Sequence, residues 1–152
     1  MMDKKADFTG EEILIRQFIL LQVIAALLLF VAACGARGGS ESKAVKSATA
    51  GNLNVTLSTS SGQLKHGGDE FTIAFTDASG KPVEVGAVAV TFHMSAIGTM
   101  PAMNDRAAIT TTATPGVYKG NVKIEVAGEW EAQVSYEGPA GRGQTSLPVL
   151  VH

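Results

Sequence analysis

From Asn52 to His152 the sequence predicts an all-β fold, an immunoglobulin-like β-sandwich of about seven strands. Three observations predict it. Apolar residues recur with a period of two, turn-forming clusters separate the runs every 8–12 residues, and no stretch after Gly51 keeps a 3.6-residue period with caps.

Each element follows from that pattern. Leu53, Val55 and Leu57 alternate with polar residues, as do Phe71, Ile73 and Phe75. The second run ends in Asp77-Ala-Ser-Gly-Lys-Pro82, where Gly supplies a positive φ and Pro fixes its own. Val88, Val90 and Phe92 form a third run, and the Thr-rich segment 109–114 a short fourth. Val122/Ile124/Val126 and Trp130/Ala132/Val134/Tyr136 follow the turn at Pro115-Gly116. Gly138-Pro-Ala-Gly141 closes a hairpin before a last strand, Thr145–Val151, whose Pro148 marks an edge or a bulge. The expected core is Phe71, Ile73, Phe75, Val88, Val90, Phe92, Tyr118, Val122, Ile124, Trp130 and Val134. A lid over a metal ion is the other role open to Trp130.

Two segments precede this domain. Residues 18–33 contain no charge and one polar side chain, Gln22. Sixteen residues fall short of the roughly 20 a membrane-spanning helix needs but suit a signal-peptide core. The run stops at Val31-Ala-Ala-Cys34, which resembles a bacterial lipobox, and Cys34 is the only cysteine. Residues 1–33 are thus expected to be a lipoprotein signal peptide and Cys34 the lipidation site. An uncleaved anchor over about 13–33 is the alternative. Residues 34–51 have one branched apolar side chain and read as a flexible, lipid-anchored linker. Either route places residues 52–152 in the cell envelope, on the extracytoplasmic face of a bacterial membrane.

Composition excludes several functions. Twelve basic and fourteen acidic side chains give a net charge of −2, unlike a nucleic-acid binder working through phosphate neutralisation. One cysteine rules out a disulfide framework and any Cys₂ or Cys₄ zinc site. No Ser/His/Asp, Cys/His or paired-carboxylate arrangement suggests an enzyme. His66 reads as an exposed loop residue.

One cluster stands out: His93-Met94 and Met100-Pro-Ala-Met103. After the leader, every methionine lies in this stretch. Thioether sulfur is soft and selects Cu(I), whereas a flexible methionine also suits gap filling and adaptable contact surfaces. Strand alternation sets a constraint. If Val90 and Phe92 face inward, so does Met94, and His93 points to solvent unless a bulge follows Phe92. Asp105 is a candidate partner for His93.

The segments Phe71–Val83, Ala87–Phe92, Met100-Pro-Ala-Met103, Pro115-Gly-Val-Tyr-Lys-Gly120 and Gly128-Glu-Trp130 together resemble the YtkA-like domain. That family is related to FixH-like proteins and to a module in adaptor subunits of heavy-metal efflux pumps. The resemblance implies an immunoglobulin-like sandwich concerned with copper, in oxidase assembly or metal efflux outside the cytoplasm. It implies Cu(I) as ligand, Met100 and Met103 as its first binding residues with Met94 or His93 assisting, and a membrane copper protein as partner. A structural or protein-interaction module without metal is the alternative.

Overall fold

The computed structural model describes residues 42–152. The signal peptide, Cys34 and the first part of the linker lie outside the described residues. Nine strands form two antiparallel sheets packed as a sandwich: β1 Lys43–Ala50, β2 Leu53–Thr59, β3 Gly67–Thr76, β4 Ala87–Met94, β5 Met103–Arg106, β6 Ala108–Thr111, β7 Val117–Ile124, β8 Gly128–Gly138 and β9 Gly141–Val151. One sheet has the order β1-β2-β3-β7-β6, the other β5-β4-β8-β9. Among the described residues no helix is long and apolar enough to cross a membrane.

The all-β sandwich expected from the period-two pattern is therefore present, with two more strands than about seven. One of them corrects the linker boundary. Lys43–Ala50, expected to be flexible, is β1, joined to β2 through a tight turn in which Gly51 takes φ 64°. It adds as an edge strand by backbone pairing, with Ala50 buried and Val45 and Ala48 packed against the core. Alanine and lysine carry little β-propensity, so the pattern did not betray it. The other, β5, is four residues long and too short for alternation to register.

Inward positions form one core across both sheets. Phe71 of one sheet meets Phe92 of the other edge to face at 5.5 Å between ring centroids. Phe75 meets Tyr118 at 5.8 Å and Tyr136 at 5.4 Å in the same manner. Every expected core residue is buried except Val88, which is half-buried. Trp130 is in the core at 3% exposure, and its Nε1–H donates to the Val126 carbonyl at 3.0 Å. Pro148 lies on β9, an edge strand, where its missing donor costs no ladder bond to a further strand.

The register also fixes what lies at each end. Lys43 pairs with Thr59, Gly67 with Ile124, Gly128 with Val151, and His93 with Glu131. The start of β1, the loop 60–66, the connection 125–127 and the β4–β5 hairpin loop therefore share one end. The opposite end holds the Gly51-Asn52 turn, the loop 77–86 and the Pro115-Gly116 turn.

Candidate functional site, a methionine hairpin at one end of the sandwich

Most of the short motifs in this chain have folding work to do. The Asp77 carboxylate accepts bonds from the Ser79 and Lys81 backbone N–H groups and the Ser79 hydroxyl, closing a turn in which Gly80 has φ 83°. These bonds, the Ser79 hydroxyl first, hold the Asp77 carboxyl below its ordinary range.

Pro115-Gly-Val-Tyr-Lys-Gly120 is used three times over. Gly116 has φ 72° and approaches the Val83 backbone so closely that an added Cβ would stand 2.5 Å from its carbonyl oxygen. Tyr118 donates its hydroxyl to Glu84, which also accepts the Gly116 and Gly86 N–H groups. Gly120, the cross-strand partner of Phe71, leaves room for that ring; a Cβ there would lie 2.1 Å from Cζ. The Glu84 carboxyl is held below its ordinary range, chiefly by the Tyr118 hydroxyl and then by the two backbone donors. Burial and the neighbouring Glu84 carboxylate push the Tyr118 phenol up.

The methionine segment has no comparable duty. β4 and β5 are joined by a hairpin whose register continues from Met94/Met103 to Ile97/Met100 without a slip. Ile97 and Met100 exchange both backbone bonds, at 3.1 and 3.0 Å, across the two-residue turn Gly98-Thr99. Positive φ is confined to Gly98, at 60°, as a type II′ turn requires. Ile97 is 59% and Met100 40% exposed; with Leu150 they are the exposed large apolar residues among those described.

The four expected ligands fall into separate places. Met94 and Met103 are direct cross-strand partners on the inner face, Met94 buried and Met103 half-buried against the core. The Met94 methyl lies against Gly128 of β8, on the side away from β5. His93 points outward, half-buried, with Glu131 and Asn104 as neighbours. Its Nδ1 is 2.8 Å from the Asn104 Oδ1. Asp105, expected beside His93, instead pairs with Phe92. No register shift follows Phe92, so His93 and Met94 keep opposite faces. Met100 stands at the tip, three residues beyond Met103, and the shared register puts it on the outward face.

Sequence reasoning missed Ile97 and Asn104. The Gly98-Thr99 pair was the available signal for Ile97, since a two-residue Gly-x turn places its flanking residues opposite one another. Asn104 had none, because its link to His93 depends on strand pairing. His66 is exposed as expected, its Nδ1 3.0 Å from the His152 carbonyl oxygen. Among the described residues no group of three or more His, Cys, Asp or Glu is placed to hold a metal ion.

Fold and motif use thus define a two-sheet antiparallel β-module that spends Gly116, Tyr118, Gly120 and the Asp77 turn on folding and leaves Ile97 and Met100 exposed at the tip of the methionine hairpin. The sequence matches the YtkA-like family over residues 47–135, more than half of the chain. The chain belongs to that family. Comparison with curated proteins and with solved structures yields no match.

Proposed function

We propose that the chain is a non-catalytic, membrane-tethered binding module of the bacterial cell envelope that carries Cu(I) on its methionine hairpin. The observation that carries the reading is the contrast among motifs. In Met100-Pro-Ala-Met103 the Met100 side chain is exposed at a turn and makes no side-chain bond, whereas the side chains of the other motifs are consumed in folding.

Met100 and Met103 are the ligands this reading favours. They lie on opposite faces, but β5 is an edge strand, so no further strand separates those faces on that side. Two thioethers leave a Cu(I) ion short of the three or four donors it accepts, which suits cargo handed to a partner's ligands. Met94 could assist only after turning from Gly128. His93 shares the outward face with Met100 but stands four residues down β4 from the Ile97/Met100 tip pair, and its Nδ1 is already bonded to Asn104. The partner under this reading is a membrane copper protein, an oxidase or efflux component.

Exposure of Ile97 beside Met100 favours a second reading, in which the tip is a protein-contact surface without metal. Titration separates the two. A tag-free fragment from Ser42, which keeps β1, should bind one Cu(I) and prefer it to Zn(II). Met100→Leu with Met103→Leu should weaken Cu(I) binding at least tenfold, about 1.4 kcal/mol, and His93→Ala should leave it unchanged. Wild-type affinity in the double variant would overturn the copper reading. Partner binding that survives both leucines but fails with Ile97→Asp would establish the contact surface.

A further inference from the structure

The topology carries a consequence for orientation. Lys43, where the described chain begins its first strand, is at the same end as the methionine hairpin. The register shows this through Lys43/Thr59, Gly67/Ile124 and Gly128/Val151, and through His93/Glu131 in the other sheet. Lys43 also touches the neighbouring loop, since a Cβ on Gly62 would lie 3.1 Å from the Lys43 Cβ. The Met94 methyl against Gly128 ties the hairpin base to the same end. The opposite end is a strand length away, roughly 35 Å for the eleven residues of β8.

Eight residues separate Lys43 from Cys34, and the nine steps of chain reach about 30 Å even when fully extended. A chain held by lipid at Cys34 therefore keeps the Lys43 end within about 30 Å of the bilayer, less than the length of the sandwich, so this is the end the tether draws toward the surface. That end presents Ile97 and Met100 at its hairpin tip, with the exposed lysines Lys43 and Lys65 and the acidic Glu129 nearby. Its charges are mixed, so the apolar tip, not a basic patch, is the contact it offers.

We propose that the hairpin end is the membrane-facing end of the sandwich, with Ile97 and Met100 resting against the headgroup surface of the bilayer that holds the tether. This rests on the membrane-tether part of the proposed function and is independent of copper. It places the methionines at the level where a membrane-embedded protein would present its own groups, while the Pro115-Gly116 end faces away.

The test uses the full lipidated chain, purified from membranes and reconstituted in phosphatidylcholine/phosphatidylglycerol vesicles carrying a spin label on the choline headgroup. A bimane fluorophore is attached through Ile97→Cys at the hairpin end or Lys81→Cys at the opposite end, Cys34 being blocked by its lipid. Thr99→Cys and Ala140→Cys form a second pair should either of the first misfold. Headgroup quenching at 97 or 99 is expected to exceed that at 81 or 140 at least threefold. Equal quenching, or stronger quenching at 81 and 140, in protein that floats with the vesicles overturns the orientation alone. Wild-type protein that neither carries lipid nor floats overturns the tether and the orientation together.

Discussion

The Tyr118 corner and the methionine hairpin sit at opposite ends of one sandwich and treat their side chains in opposite ways. At the corner, a carboxylate, a phenol and two backbone N–H groups are bonded to one another, and both glycines stand where a Cβ would collide with backbone or ring. At the hairpin, two backbone bonds and one glycine make the turn, and the large apolar side chains are left in solvent. Burying Ile97 and Met100 would have been favourable, at about 25 cal/mol per Å² of apolar surface. Their exposure gives them little share in core packing, so one end of the sandwich is held by side-chain bonds and the other by its backbone turn.

That contrast can be broken most forcefully in the core both regions lean on. Trp130→Ala should cost about 3–5 kcal/mol, read by denaturant unfolding, because it empties a buried aromatic site and frees the Val126 carbonyl. A loss under 1 kcal/mol would mean the tryptophan is no anchor.

At the corner, Gly120→Ala should cost about 1–3 kcal/mol by forcing the Phe71 ring off its position against Phe92. Phe71→Leu in the same chain should recover part of that loss, and a double-mutant cycle measures the coupling. Simple additivity would argue that ring and glycine do not compete for space.

The corner should also respond to pH. The folded Glu84 carboxyl titrates below its unfolded value, so its ionised form stabilises the fold above the ordinary carboxylate range. That contribution is lost as pH falls through the folded value. Tyr118 shifts the other way, so its share is present below the ordinary phenol range and lost as pH rises through the raised value. Glu84→Gln should therefore flatten part of the acid limb in a series of urea midpoints. Asp77 and Glu125, also held low, should retain the rest. An unchanged acid limb would show that the Glu84 bonds contribute nothing net.

The smallest expected change in stability is at the hairpin. Met100→Leu should shift unfolding by no more than about 0.5 kcal/mol, as for other exposed substitutions. A loss comparable to that of Gly120→Ala would erase the distinction between the two ends.

The period-two runs were enough to define the sandwich, its inward faces and the outward turn of His93. Side-chain alternation is a local property of extended chain and needs no partner to be read. The same rule correctly set Met94 and His93 on opposite faces. Local chemistry likewise marked Gly80, Gly116 and Pro148 as turn or edge residues. Pairing partners were another matter. That Lys43–Ala50 is a strand, that Asn104 and not Asp105 meets His93, and that Glu84 is held by Tyr118 all depend on pairing with another segment. No pattern within either segment encodes them. The end of the molecule at which the methionines sit was also beyond sequence, because it is fixed by the register of seven interstrand pairings, and register is decided only when both sheets close over one core.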